Sequence, residues 1–429
     1  MARFFIITIN YAPEPSGFAP HATQLAEYLA GRGHDVEVFT GFPFAPHWRR
    51  RAEDHGRLFA RERTGGVTVR RVTHYIPRRP SSALQRIVME GSFSAAVFVA
   101  MLAGIVRAGR PAAFLYIGAQ PAAAMLARLT AAMTGRPYFV RITDLAAQAA
   151  REVGVAGLRL SRILEGFEFA AYRNAAGASV LCESFEDALA GHDYPRDRIR
   201  VLHNPIDVDG IRPVDRTGAF RARYGISPDA FVLLHAGSMG RKQALLTAVA
   251  AAALVRDIPI HWVFVGDGEL KDELMQAVHQ RRLEGTVHFV PFQPEAALSD
   301  MFADADVLFI SQVASVQDTL IPGKLMTYMA AGRPVLAAVH ADSQAARLLR
   351  DADGGVLVTP EDAGDLAHAA RRLAATDRAA LDVVAARNRA YAEQHFDERK
   401  VLAAHEEFLM RMMTVNKLAR PAKAGRHVL

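Results

Sequence analysis

Two lysines stand where a helix would favour acids. In "HAGSMGRKQALL", Gly237 and Gly240 bracket a tight turn, and Arg241 and Lys242 follow at the expected start of a helix. In "IPGKLMTYMAAGRPVLAAV", Pro322 and Gly323 set up a second helix start, with Lys324 in its first turn. Gly332 ends that helix before an apolar run suited to a buried strand. A cation at a helix N-terminus opposes the macrodipole, at a local cost of about 0.3–1 kcal/mol. A bound anion would offset that cost. Two such starts, each with free N–H groups and an ammonium, suit a pyrophosphate. A third junction, "YAPEPSGFAPH", follows the first expected strand. Gly17 lets backbone come close to a ligand, Pro13, Pro15 and Pro20 stiffen the loop, and a helix follows. The loop is longer than the usual strand-to-helix connection. The competing reading of all three is an ordinary loop with solvated charge.

Other candidates carry less. "GDGE", with Gly266 and Asp267, reads as a strand-end turn beside the same ligand. "DAD" at Asp304 to Asp306 resembles a metal-binding DxD, but it lies where a helix hands over to the strand "VLFIS", which favours a cap. No His, Asp or Glu cluster has metal-ligand spacing, so no metal is expected. The GxGxxG fingerprint, the P-loop and the GxSxG elbow are absent from the sequence.

These junctions need a scaffold of strands that end together. The pattern supplies one, alternating strand and helix almost throughout. "RFFIITI", "DVEVFTGF", "AAFLYIGA", "PYFVRITD", "ASVLC" and "RIRVLH" read as strands of a first half. "FVLLHAG", "IHWVFVG", "VHFVPF", "DVLFIS", "PVLAAV" and "GGVLV" read as strands of a second. Helical patterns separate them, which implies parallel sheets covered on both faces. The expected fold class is α/β, with two doubly wound Rossmann-like domains facing a central cleft. Ligands in such sheets bind beyond the carboxyl ends of the strands. The expected domains are 1–203, a proline-bounded linker 204–213, and 214–380. A helical segment 381–429 follows, packing back toward the first domain, with a frayed basic tail.

The totals agree. A length of 429 residues is too great for one ordinary core. Hydrophobic content of 51% with 22% charged residues is globular. The formal charge of +6 favours anionic partners. Cys182 is the lone cysteine, which excludes an intramolecular disulfide and fits a reducing compartment. The N-terminus lacks the layout of a signal peptide. The strongly apolar run from Gly91 to Val106 is shorter than the roughly 20 residues of a spanning helix. The stretch from Arg49 to Arg86 is dense in arginine, with Trp48, Tyr75 and an apolar helix beside it. It is the expected attachment to an anionic membrane surface. Pairing with Glu53, Asp54 and Glu62 is the competing reading. No nucleic-acid module is recognisable, and no nucleic-acid partner is expected.

Over nearly its whole length the sequence resembles glycosyltransferases of family 4 with the GT-B fold, and within them the colanic-acid type of exopolysaccharide transferases. The residues that carry this are "NYAPEPSGFAPHATQLAEYLAGRGHDVEVFTGFP", "LHNPID", "HAGSMGRKQALL", "FVGDGEL" and "PGKLMTYMAAGRPVLA", in that order. The resemblance implies a nucleotide-sugar donor on the C-terminal domain and a glycan or polyprenyl-diphosphate-linked acceptor on the N-terminal domain. It also implies retained anomeric configuration, no metal or other cofactor, and a place in capsule, exopolysaccharide or O-antigen synthesis. The expected location is cytoplasmic, at the inner face of the membrane.

The resemblance places Gly17 near the donor phosphate, Lys242 as a phosphate-binding lysine, and Pro322, Gly323, Lys324 and Leu325 at the pyrophosphate. Gly237, Gly266, Asp267 and Phe292, at the end of "VHFVPF", join the donor-binding set. Ser238 replaces an arginine common in the family, with Arg241 as the candidate to compensate. Two glutamates of many members fall here on Thr319 and Thr327. Thr327 can give a ribose one hydrogen bond, and Asp318 adjoins the other place. Asp144 falls where the family has an acidic or histidine residue near the reacting sugar, with a helix cap as the competing reading. His21 is the second catalytic candidate. Two alternatives stay open: a nucleotide-sugar 2-epimerase of the same fold, and a non-catalytic nucleotide-sugar-binding protein. The arginine-rich insertion argues against the first, and the missing glutamates suggest the second.

Overall fold

The run "RFFII" forms the first strand, β1 (Arg3–Ile7), and Phe4 to Ile7 are buried without alternation. A strand apolar on both sides must be covered on both faces, and the rest of the fold supplies the cover. The computed structural model describes residues 1–15, 17–45, 47–80, 82–145, 158–316 and 323–418. They divide into two units: Met1–His203 with the segment from Val401, and Asn204–Lys400.

In the first unit, α1 (Ala19–Gly31) leads to β2 (Asp35–Gly41), then β3 (Phe59–Thr64) and β4 (Val67–Val72). The long α2 (Ala83–Ala108), β5 (Ala113–Gly118), α3 (Pro121–Thr134) and β6 (Tyr138–Ile142) follow. Next come α4 (Leu158–Tyr172), β7 (Gly177–Val180), α5 (Glu183–Gly191) and β8 (Ile199–Val201). The sheet order is β3-β4-β2-β1-β5-β6-β7-β8, parallel except for β3. The chain order reverses between β1 and β5, which makes their carboxyl ends a topological switch point.

Three features differ from the sequence reading. The arginine-rich stretch holds a hairpin, β3 with β4, turned at Gly65 and Gly66, both at positive φ. "FARERT" is a charged edge strand, so it carries no apolar signal. Several arginines of the stretch are engaged: Arg57 meets Asp54 at 3.4 Å, Arg71 meets Glu62 at 2.5 Å, and Arg70 pairs with the buried Glu37. The apolar run 91–106 sits inside the 26-residue α2, a helix long and apolar enough by length and composition to cross a membrane. Ser82 caps its start by accepting from the Gln85 N–H.

In the second unit, α6 (Ala219–Arg223), β9 (Phe231–Ala236), α7 (Leu245–Leu254), β10 (Ile260–Val265), α8 (Lys271–Arg281) and β11 (Val287–Val290) come first. Then follow α9 (Leu298–Ala303), β12 (Val307–Ser311), α10 (Gly323–Ala330), β13 (Val335–Ala338), α11 (Gln344–Asp351) and β14 (Gly355–Val358). The helices α12 (Ala363–Ala374) and α13 (Arg378–His395) complete it. All pairings are parallel, in the order β11-β10-β9-β12-β13-β14. This is the Rossmann order, with its switch point between β9 and β12. The segment from 381, expected as one tail, is divided. Most of α13 lies within it and belongs to the second unit, whereas α14 (Glu398–Leu418) packs Leu402, Phe408, Leu409 and Met412 into the core of the first. Gly177 permits this approach, because a Cβ there would lie 2.8 Å from the Phe408 ring.

Candidate functional site

At the switch point of the second sheet, β9 ends in "HA" before Gly237, and His235 is fully buried. Its Nδ1 lies 3.2 Å from the carbonyl of Phe309 on β12, and its Nε2 lies 3.2 Å from Lys324 Nζ on α10. A carbonyl only accepts, so Nδ1 carries the proton and Nε2 accepts from the ammonium. Burial, and then the Lys324 charge, push His235 down to about 3, so the ring stays neutral. Burial also brings Lys324 down to about 8. The lysine reaches across the end of Gly237, where a Cβ would stand 3.1 Å from Nζ. Tyr328 makes a second stitch: its hydroxyl accepts from the Ala236 N–H at 2.7 Å and donates to the Ala236 carbonyl at 3.2 Å. The first turn of α10 holds no acid. An ammonium is thus fixed in a protected place beside a glycine backbone.

The loop after β9 and the turn after β10 interlock. Gly237 N–H donates to the Val265 carbonyl, and Met239 N–H to that of Asp267. Gly266, with φ 134°, has no room for a side chain, since its Cβ would fall 2.1 Å from the Gly237 oxygen. Gly268 is crowded too, since a Cβ there would lie 2.6 Å from the Met239 backbone. Ser238 and Asp267 are exposed, and the Asp267 carboxylate accepts from the Gly268 N–H. Phe292 is 65% exposed beside Gly266.

Arg241 and Lys242 lie in a short 3-10 turn, Arg241–Gln243, and α7 opens only at Leu245. They therefore precede the helix and do not occupy its first turn. Gly240 N–H donates to Gln243, whose side chain fastens the turn, and Arg241 is drawn to Glu269. The Lys242 side chain is exposed. Leu325 is core, Gly323 is exposed, and the Thr327 hydroxyl donates back to the Gly323 carbonyl at 3.4 Å. Asp318, Thr319 and Pro322 lie outside the described residues.

In the first unit, Gly17 is exposed at φ 66°, with open space where a Cβ would be. The loop before it is pinned by buried Glu14, which accepts from the N–H groups of Phe44 and Ala45 at 2.8 Å. His21 is in the first turn of α1, 3.3 Å from Gln24, and its side chain does not cap the helix. Burial first, and the Arg141 charge second, lower it to about 4. Asp144 lies two residues beyond the end of β6. Sequence reasoning missed Arg141. It is fully buried, donates to His405 Nε2 at 2.6 Å and to the His203 carbonyl at 3.2 Å, and burial brings it down to about 9. It missed His235 as well. The available signal was an ionisable residue inside an apolar strand, in "YFVRI" and "FVLLHA".

Asp304 and Asp306 are structural. Asp304 accepts from the N–H groups of Gly218 and Phe220 at the start of α6. Asp306 accepts from Val232 N–H and from Arg216, Arg221 and Arg378. A 530 Å³ cavity beside Asp306 opens at the amino ends of the strands, away from His235 and Lys324. Among the described residues no group of three or more His, Cys, Asp or Glu side chains could hold a metal ion.

Comparison with known proteins identifies the scaffold. A family model described as a glycosyl transferase 4-like domain matches residues 16–205, and one described as glycosyl transferases group 1 matches residues 230–376. Over 407 residues the chain is 26% identical to the Escherichia coli (strain K12) protein named colanic acid biosynthesis glycosyl transferase WcaI, covering 93% of this chain and 98% of that one. Sucrose-phosphate synthase from Thermosynechococcus elongatus superposes with a TM-score of 0.75 at 18% identity, over 97% of this chain and 100% of that one. Anabaena Alr3699/HepE, solved in complex with UDP, gives 0.70 at 17% identity, over 96% and 100%. With matched models on both units and the two Rossmann-like sheets of the GT-B fold, the chain belongs to the family 4 glycosyltransferases.

Proposed function

We propose that the protein transfers a sugar from a nucleoside diphosphate donor to a glycan or polyprenyl-diphosphate-linked acceptor, in the synthesis of an exopolysaccharide, capsule or O-antigen, on the cytoplasmic side of the membrane. One observation carries the donor reading: the Lys324 ammonium is held against Gly237 by a neutral imidazole at the switch point of the second sheet. Two relatives lend support. The Anabaena protein was solved with UDP and with UDP-glucose, and the E. coli relative is named for colanic acid.

Transfer builds positive charge on the sugar and negative charge on the departing diphosphate. Lys324, the amides of the Gly237 loop and the start of α10 would stabilise the second. With that charge met by fixed donors, the reaction would need no metal. The first unit would carry the acceptor, with His21 and Asp144 as the catalytic candidates and retention as the stereochemical outcome. Lys242, exposed on its turn, would close on the diphosphate once the donor is bound.

The test is turnover. The protein is incubated with UDP-, GDP-, ADP- and TDP-sugars plus membrane lipid, with and without a chelator. Released nucleoside diphosphate and a product with the donor's anomeric configuration are expected for one donor, unaffected by the chelator. Binding without release for every donor would replace the enzyme by a nucleotide-sugar sensor.

A further inference from the structure

The helix α2 turns two apolar faces outward from its axis, and only one is covered. Met89, Phe93, Val97, Met101 and Gly104 face the sheet and are buried. On the opposite side Leu84 is 71% exposed, Ile87 61%, Val99 57% and Val106 88%. Val88, Gly91 and Ala95 are exposed between them. Positions 84, 88, 91, 95, 99 and 106 share one helical stripe, about 33 Å long at 1.5 Å per residue. No ionisable residue interrupts the helix between Glu90 and Arg107. The surface widens sideways. α3 packs on α2 and exposes Leu129 and Met133, and α4 packs on α3 and exposes Ile163 and Phe167. Isolated exposed apolar residues need no explanation, but a continuous face of this kind does.

Charge chooses the occupant. Arg78, Arg79 and Arg86 are exposed at one end of the stripe, and Arg107 and Arg110 at the other. Glu90 is the sole acid in α2, it is half-buried, and it accepts from the Ala122 N–H. A second copy docking by two-fold symmetry, with the helices antiparallel, would set arginine ends against arginine ends. An anionic lipid surface meets those ends with phosphate and the stripe with acyl chain. The helix cannot cross the bilayer, because its inner face is part of the core of the first unit.

We propose that the first unit lies on anionic membrane through the outer face of α2, with the helix in the plane of the interface and the flanking arginines among headgroups. This gives the lipid-linked acceptor of the proposed function a place, but it rests on the surface alone. It narrows the contact expected from the Arg49–Arg86 stretch to its end at Arg78, Arg79 and Arg86 with the helix beside it, since Arg57, Arg70 and Arg71 are engaged within the fold.

The test is flotation of the full chain with phosphatidylcholine vesicles, with and without phosphatidylglycerol. Binding to the anionic vesicles is expected, falling with added salt and by about fivefold for each arginine removed in Arg107→Ala and Arg110→Ala. The combined Leu84→Glu, Val88→Glu and Val99→Glu variant should lose at least about tenfold in partition with its UDP affinity unchanged. If that variant does not fold, Val99→Cys with a polarity-sensitive label reports alone, because Cys182 is buried. Its emission should shift blue on anionic vesicles. Wild-type protein that stays unbound at low salt would overturn the proposal, as would a folded triple variant that floats normally or a label that does not respond. So would a dimer that the triple variant dissociates, which would give the face to a second copy. Loss of UDP binding in wild type would count against the donor reading and leave this one standing.

Discussion

Lys324 is the residue on which the donor reading turns, and its burial gives that reading a pH signature. The ammonium is held down at about 8 by desolvation, so in the free protein it loses its proton within reach of ordinary buffers. A diphosphate favours the charged form. Affinity for UDP should therefore be full below about pH 7, and should decline as pH rises through 8, with proton uptake on binding above that. Lys324→Ala should weaken UDP binding by about tenfold or more at neutral pH and abolish the decline. Calorimetric titration across pH checks both, and an unchanged affinity would remove the lysine from the site. His235 makes a separate prediction. Its Nε2 is an acceptor for the ammonium, so His235→Leu leaves the charge without that partner in a buried place. The alkaline decline should then move below 8, and UDP affinity at pH 7 should fall. His235→Gln, which still offers an oxygen, should restore the wild-type midpoint. A merely structural histidine would change stability and leave the midpoint alone.

The elements that carry these groups were largely legible in the sequence. Fully apolar runs such as "RFFII" and "VLFIS" announce strands buried on both faces, and the helical runs between them imply parallel pairing. Lys324 was legible as well, because a cation without an acid in a first turn is a local anomaly. What escaped was non-local. His235 meets Lys324 across 89 positions, and no spacing rule reaches that far. β3 escaped because its charged, exposed residues follow no alternation. The start of α7 was misplaced because "RKQALL" looks helical throughout, while Gly240 and Gln243 close a 3-10 turn first. The two glycine turns show how tightly the elements fit. Gly266→Ala would place a methyl against the Gly237 backbone oxygen at a φ that side chains avoid. Backbone cannot swing aside as a side-chain end can, so the second unit should lose about 2 kcal/mol or more, along with UDP affinity. Gly285→Ala, where a Cβ meets nothing within 4 Å, should change stability by less than about 0.5 kcal/mol. Urea unfolding of the two variants gives the comparison, and equal effects would mean that the interlock of the two loops does not constrain the fold.

At the scale of the molecule, both units bury histidines that must stay neutral. In the first, His21 is lowered to about 4 by burial and then by Arg141, and His405 well below its usual range by the same two causes. In the second, His235 is lowered to about 3. In the unfolded chain each returns to about 6.5. Between the two values the unfolded state binds more protons than the folded one, so folding stability must fall as pH falls. The loss begins near 6.5, where ordinary carboxylates are still ionised, and for His21 it runs to about 4. His405 adds a local reason, since protonating it would set a cation 2.6 Å from the buried Arg141 guanidinium. Each unit of depression is worth about 1.4 kcal/mol, and a folded domain has only about 5–15 kcal/mol in hand. Acid sensitivity should therefore appear in both units between about pH 6 and 5, well above the range of carboxylate titration. Urea midpoints followed by far-ultraviolet circular dichroism should drop steadily across that interval. Replacing His405 with Gln, which keeps an acceptor for Arg141 without a titrating ring, should remove part of the slope while leaving the neutral-pH midpoint nearly in place. A midpoint flat from pH 7 to 5 would mean that these imidazoles take up protons in the folded protein as readily as in the unfolded chain, and that the two sheet ends are open to water.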